Sequence, residues 1–293
     1  METIFLSESD SSGFFSIEQE RCVMALGSFD GVHLGHRRVI GTAKELAKRH
    51  NMPLAVLTFH PHPREVLGQS GGEIDYLMPL ELKRDVMASL GADRFYVVKF
   101  DREFASLSPR QFADRYLLRL NVKHAVVGFD FTYGDKGSGN ANTLEADGGG
   151  FYRVHIVPRM DHQKQKISST MIRELLRSGE VKRIADYLGG LYTTRGQIYS
   201  FNNDSKRGVS ANIQVDRHYM LPAEGTYEVM IYLNSQMYSG IATIDLQPDG
   251  LRKLDMIWHD KSVQLKEHSA IEFSWVDRVR EQRFALRMGA SSN

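Results

Sequence analysis

Along the first two-thirds of the chain, unbroken apolar runs alternate with segments whose apolar residues recur every three or four positions. CVMALGSF (22–29), LAVLTF (54–59), RFYVVKF (94–100), HAVVGFDF (124–131) and RVHIVPRM (153–160) read as strands, because a strand buried on both faces is apolar throughout. Between them GHRRVIGTAKELAKRH (35–50), PLELKRDVMASLGA (79–92) and SPRQFADRYLLRL (108–120) read as helices. Pro79 and Gly91 punctuate the second, while Ser108 is an N-cap and Pro109 the first helical residue of the third. Strands alternating with helices predict a parallel sheet covered on both faces, so residues 20–187 read as one α/β unit.

The texture changes after ADYLGG (185–190). RGQIYS (195–200), SANIQV (210–215), TYEVMIYL (226–233), SGIATIDL (239–246), KLDMIWH (253–259) and SAIEFSW (269–275) follow, separated by the turn signals FNND, LPAEG and QPDG. Many short strands at regular spacing predict an antiparallel barrel or sandwich. VDRVREQRFALRM reads as a closing helix, and SESDSSGFFSIEQE near the start as an edge strand and a loop. The chain therefore divides near Gly189–Gly190 into domains 1–188 and 189–293.

Composition narrows the classes without choosing one. With 293 residues, 42% hydrophobic and 25% charged, the chain can build cores. A net charge of +1 provides no field to draw nucleic acid or a membrane surface. Cys22 is the single cysteine, so no intramolecular disulfide or cysteine-built zinc site forms. No apolar run approaches the ~18 residues of a membrane span, and the acidic N-terminus is unlike a secretory signal. The expectation is a cytoplasmic protein without nucleic-acid or membrane partners, its oligomeric state open.

GSFDGVHLGH (27–36) runs from the carboxyl end of the first predicted strand into the first helix. In open α/β sheets ligands bind beyond the carboxyl ends of strands. His33, Gly35 and His36 therefore stand at a helix N-terminus, where free N–H groups and the dipole favour anions. Gly31 and Gly35 let the backbone bend and approach a ligand. Neither GK[ST] nor G-x-G-x-x-G is present, and two histidines without a third ligand make a poor zinc site. Phosphate handling fits the combination best. Three other stretches carry less alone: HPHP (60–63) as a Pro-rich turn, GFDFTYGDKGSGN (128–140) as a surface hairpin, and ISSTMIR (167–173) as a capped helix start with Arg173 nearby.

Together these stretches resemble the bacterial FAD synthetases, members of the H-x-G-H nucleotidylyltransferases. GSFDGVHLGH is similar to their nucleotide-binding signature, TFHPHPREVL (58–67) to the flavin-side loop, VVGFDFTYGDKGSGN (126–140) to the glycine-rich loop, and KISSTMIRELLRSGEV (166–181) to the ISST-x-IR helix start. The resemblance implies a Rossmann-like α/β nucleotidylyltransferase domain followed by a small antiparallel riboflavin-kinase-like β-barrel with a C-terminal helix. It implies transfer of AMP from ATP to FMN with Mg²⁺, without a covalent enzyme intermediate. Carried over by position, His33, His36 and Arg173 are catalytic; Gly27, Phe29, Asp30, Gly35, Ser169 and Thr170 join them at ATP. Pro61, His62, Pro63, Asp130, Phe131 and Tyr133 fall on the FMN side, with Asp130 also a candidate for Mg²⁺. Asn140, where the family often has Asp, receives no role.

The resemblance weakens in the second domain. LPAEGTYEV (221–229) and SGIATI (239–244) are similar to kinase strands, but the signature loop G-F-P-T-A-N reads GVSAN (208–212), shorter, without proline and with Ser210 for Thr; Asn212 remains. Asp255 stands where the family has a Glu general base, one methylene shorter, and the segment before it is cut to LQPDGLRK. These changes predict an FMN adenylyltransferase whose kinase activity is lost. The alternatives are a bifunctional kinase and FAD synthetase using Ser210, Asn212 and Asp255, an enzyme with another acceptor, and a non-catalytic flavin-binding regulatory protein.

Overall fold

The computed structural model describes residues 1–7, 20–68, 74–204, 208–247, 252–260 and 262–279. Its apolar runs form strands β1 (Glu2–Leu6), β2 (Cys22–Leu26), β3 (Leu54–His60), β4 (Arg94–Lys99) and β5 (Val122–Gly128). A small hairpin, β6 (Thr132–Tyr133) with β7 (Gly139–Asn140), follows; then come β8 (Arg153–Val157) and a second hairpin, β9 (Asp161–His162) with β10 (Gln165–Lys166). Six of these strands make one sheet in the order β1-β4-β3-β2-β5-β8, and every neighbouring pair is parallel. The edge strand is Glu2–Leu6, just before the stretch expected to supply it, most of which lies outside the described residues.

Alternation along β2 explains its unbroken apolarity. Cys22, Met24 and Leu26 join a cluster with Phe104, Phe112 and Tyr116, whereas Val23 and Ala25 join another with Val39, Ile40, Ala43 and Phe95. Each large side chain buried this way contributes roughly 1.5–3 kcal/mol. The covering helices are α1 (Leu34–His50), α2 (Pro63–Val66), α3 (Leu80–Leu90), α4 (Arg102–Ala105), α5 (Pro109–Phe112) and α6 (Leu144–Asp147). Ser108 caps α5 in a capping box with Gln111, but the helix expected over 108–120 continues as a π-helix, Ala113–Leu118.

Contacts divide the chain into two compact units, Met1–Ile167 and Ser168–Asn293. The second holds α7 (Ser169–Ser178), α8 (Val181–Leu188) and six strands: β11 (Tyr192–Asp204), β12 (Gly208–Val215), β13 (Gly225–Leu233), β14 (Gln236–Leu246), β15 (Arg252–Trp258) and β16 (Ala270–Arg278). They close in the order β11-β12-β15-β14-β13-β16, and closure leaves no open edge. Val209, Ala211, Ile213, Met256, Trp258, Phe273 and Trp275 fill the interior, with Trp275 Nε1 donating to Thr194 Oγ1 at 2.9 Å. The expected closing helix is corrected at its start: Val276–Arg278 end β16, which pairs through Arg278 with Tyr227. The remainder of that stretch, beyond 279, lies outside the described residues. Among the described residues no helix is long and apolar enough to cross a membrane.

Candidate active site

Strand β2 sits between β3 and β5, so the chain leaves it toward opposite sides of the sheet. Its carboxyl end is thus a topological switch point, the place where open α/β sheets bind ligands. The turn that emerges there is tightly wound: Phe29, Gly31 and Val32 have φ of 47°, 79° and 40°. Positive φ is strained for a β-branched residue and persists only where surroundings enforce it. Three anchors do so. Thr58 Oγ1 and Lys83 Nζ donate to the Ser28 carbonyl at 2.9 and 2.8 Å. The Asp30 carboxylate accepts the Leu77 and Met78 N–H groups at 3.3 and 3.2 Å.

His33 is the N-cap of α1, and its Nδ1 accepts the His36 N–H at 3.2 Å. With Nδ1 accepting, the neutral ring carries its proton on Nε2. The His33 and His36 rings stack 3.6 Å apart at 13°, and Phe29 meets His36 edge-on at 5.3 Å. Gly35 permits this fold-back, since a Cβ there would lie 3.1 Å from His33 Cε1. Burial lowers the His33 pKa to about 4, with Asp130 and Asp30 opposing and Lys166 reinforcing the shift. His36 is held well below the ordinary range by burial, then by His33 and Lys83. Both imidazoles are therefore neutral at pH 7, and His36 Nδ1 is buried with no hydrogen-bond partner among the described residues. Such an unmet nitrogen calls for a ligand or a function. A polyanion arriving at this helix N-terminus would favour protonation and stronger, charge-assisted donation.

Two further loops emerge from the same sheet edge. After β3, a cis His60–Pro61 peptide leads to His62, the N-cap of α2, whose Nδ1 accepts the Arg64 N–H at 3.2 Å. Pro63 opens that helix. Tyr76 ties this loop down, accepting the His62 N–H at 2.9 Å and donating to Glu65 at 2.7 Å. After β5, Asp130 pairs with Lys166 of β10 at 2.6 Å, and the same ammonium lies 4.8 Å from the Phe129 ring centroid.

On the barrel, Ser210 and Asn212 alternate with the buried Val209 and Ala211, so both take the outer face of β12. Asn212 pairs in register with Asp255, and its Nδ2 donates to Asp255 Oδ1 at 3.3 Å. The other carboxylate oxygen takes Lys253 Nζ at 2.6 Å. GVSAN, expected as a loop, is the opening of β12, laddered to β11 from Gly208 onward. Part of LQPDGLRK lies outside the described residues.

A family model for FAD synthetase matches residues 16–171. The bifunctional riboflavin kinase/FMN adenylyltransferase of Bacillus subtilis (strain 168) is 40% identical over 91% of this chain and 86% of its own length. The chain belongs to the FAD synthetase family. An FAD synthetase of Listeria monocytogenes is 30% identical over 82% of this chain and 93% of that protein. The crystal structure of a macrolide-efflux protein from Streptococcus pneumoniae shares the fold, with TM-score 0.85 and 26% identity over 99% of this chain and 97% of that one.

Within this FAD synthetase-family chain, the first unit gathers Gly27, Phe29, Asp30, His33, Gly35 and His36 in one turn. Asp130 is close enough to act on His33. Two of the expected residues are buried. Asp30 is 1% exposed, and its two carboxylate oxygens accept backbone N–H groups that fix the turn. Tyr133 is 6% exposed, 5.1 Å from Phe112 and bonded to Thr143 and Asp147; it is a core ring, while Phe131 beside it is only partly buried. Ser169, Thr170 and Arg173 belong to the second unit, on α7 behind the N-cap Ser168. Arg173 stands in that helix's second turn. Sequence reasoning missed Lys83 and Tyr76, to which it gave no role.

Proposed function

We propose that the chain is a one-step enzyme that transfers AMP from ATP to FMN, releasing FAD and pyrophosphate, with a barrel that no longer phosphorylates riboflavin. It is an FMN adenylyltransferase, and the stacked, buried, neutral His33–His36 pair at a helix N-terminus is the observation that carries the site assignment. An FMN phosphate oxygen bonds to the α-phosphorus as the bond to the bridging oxygen of pyrophosphate breaks. Negative charge moves onto the leaving group, so catalysis rests on positioning and charge neutralisation. His33 Nε2–H donates to the phosphates, and His36 gains hydrogen-bonding and proton-accepting work as charge builds. Ser169, Thr170 and Arg173 hold the triphosphate, and Gly27, Phe29 and Gly35 shape the nucleotide side. Pro61, His62, Pro63, Asp130 and Phe131 form the flavin side.

Mg²⁺ brought with ATP supplies charge neutralisation between phosphates when bound. Asp130 is the residue that would hold it, through the carboxylate oxygen not paired with Lys166 or by displacing that ammonium, which lies at 2.6 Å. One carboxylate suits an ion that keeps most of its waters. Residues 1–188 serve as the adenylyltransferase domain and 189–293 as the kinase-like domain, with no nucleic-acid or membrane partner and a cytoplasmic location.

The loss of kinase activity is supported by Asp255, whose two oxygens are engaged by Asn212 and Lys253. A general base needs its carboxylate within reach of the substrate hydroxyl. A second reading, a bifunctional enzyme, is favoured by the activity named for the Bacillus relative and by the adjacency of Asn212 and Asp255. Label position tests the transfer itself. With FMN, ATP labelled on the α-phosphate should give labelled FAD, and γ-labelled ATP should give labelled pyrophosphate and unlabelled FAD. Label from the γ-phosphate in FAD would overturn the proposed bond cleavage.

A further inference from the structure

Lys83 is 3% exposed, in a helix whose other buried residues are Leu82 and Met87. A buried ammonium is expensive unless it is hydrogen-bonded and paired. Here one donor goes to the Ser28 carbonyl at 2.8 Å; burial lowers the Lys83 pKa to about 8, and the nearby Asp30 carboxylate opposes that shift. Its charge also reaches His36 and His60, one in the phosphate turn and the other at the head of the Pro-rich loop. The segment leading into α3 makes the same connection. Leu77 and Met78 bind Asp30, while Tyr76 binds His62 and Glu65. Both loops are thus fastened to the stretch from Tyr76 to Lys83. The phosphate turn needs fastening, because its positive-φ residues Phe29 and Val32 would otherwise relax.

We propose that Lys83 is a positioning residue for adenylyl transfer: its hydrogen bond to Ser28 holds the strained turn in place and brings a buried amine near His36. This rests on the reading of the His33–His36 turn as the adenylyl-transfer site. Lys83 acts through the turn, since it is 3% exposed and its ammonium is bonded to the Ser28 carbonyl. The groups facing His36 are His33, Phe29 and Lys83, and His33 in turn is influenced by Asp30, Asp130 and Lys166.

The test compares the full-length protein with Lys83→Met and Lys83→Gln. FAD formation from ATP and FMN gives kcat and KM, and NMR of the imidazoles gives the His36 titration. Lys83→Met should lower kcat on the order of 10²-fold, as a small misplacement of reacting groups does. It should also raise the His36 midpoint, which burial still holds below the ordinary histidine range, a change that a merely structural core residue would not produce. Lys83→Gln keeps a donor for Ser28 without the charge, so it should retain more kcat yet shift His36 in the same direction. If the Met variant does not fold, the Gln variant decides. A His36 midpoint unchanged in a folded variant would overturn the proposal. So would a kcat within about twofold of the parent. Should the parent make no FAD, the functional reading falls, and the His36 titration still decides the placement of Lys83.

Discussion

The two candidate sites are built on opposite principles. At the sheet edge, polar groups are buried, backbone is held in conformations that side chains disfavour, and His36 Nδ1 has no partner among the described residues. On the barrel, Asn212, Asp255 and Lys253 lie on regular strands and engage one another. Stored strain and unmet hydrogen-bonding capacity persist only where something compensates, and a bound ligand is the natural compensation. A polar row that saturates itself needs no ligand. The comparison therefore sets a turn with unmet hydrogen-bonding capacity against a row of side chains that pair with one another, the contrast on which the proposed loss of kinase activity rests.

The sharpest way to break this contrast is His36→Ala. It should cut adenylyl transfer by on the order of 10²–10³ in kcat, the usual cost of removing one group that stabilises developing charge. FMN affinity, followed by flavin fluorescence, should change little. Equal losses in both would make His36 a binding residue and erase the distinction.

Acid offers the next largest effect. His33 has a folded pKa lowered by burial to about 4 against an ordinary 6.5. A depressed histidine pKa means that the unfolded chain binds the proton more readily. Its stabilising contribution is then complete above 6.5 and is lost as pH falls from 6.5 toward about 4. Denaturant unfolding of the ligand-free protein across that window should show a decline to which His33 contributes up to a few kcal/mol, and His33→Asn should make it shallower, leaving the part due to His36. An unchanged slope in the variant would show that His33 is not buried neutral.

A smaller effect is expected at Gly35. A methyl there meets the His33 ring at 3.1 Å, so Gly35→Ala should tilt the stacked pair and cost about tenfold in kcat/KM, roughly 1.4 kcal/mol. The melting temperature should move little, because alanine favours a helix more than glycine does. The smallest expected effect is none. Asp255→Glu alone should leave riboflavin unphosphorylated, because Lys253 and Asn212 still claim the carboxylate. Full recovery from that one methylene would show that the self-paired row is no obstacle.

Much of the scaffold was legible because its residues have one energetic solution. The run 22–26 is apolar at every position since β2 packs on both faces, and the six barrel strands alternate since only one face is buried. The π-helical turn at Ala113–Leu118 was not legible: Phe112, Ala113, Tyr116, Leu117 and Leu120 keep an α-like burial spacing through it. At the site, His33, Gly35 and His36 could be read because a strand-to-helix turn with such residues has few uses. Lys83 could not. A lysine in LELKRD looks solvated, and only the tertiary approach of Ser28 and Asp30 makes its burial tolerable. The burial of Tyr133 was not legible either, since an aromatic in a glycine-rich loop looks available until Phe112 and Asp147 are seen to hold it.

The most direct test is a pair of incubations with ATP and Mg²⁺, one with FMN and one with riboflavin, followed by chromatography of the flavins. FAD from FMN together with unaltered riboflavin is the expected result. FMN or FAD appearing from riboflavin would contradict the account, because the barrel row around Asp255 would then be a working kinase site.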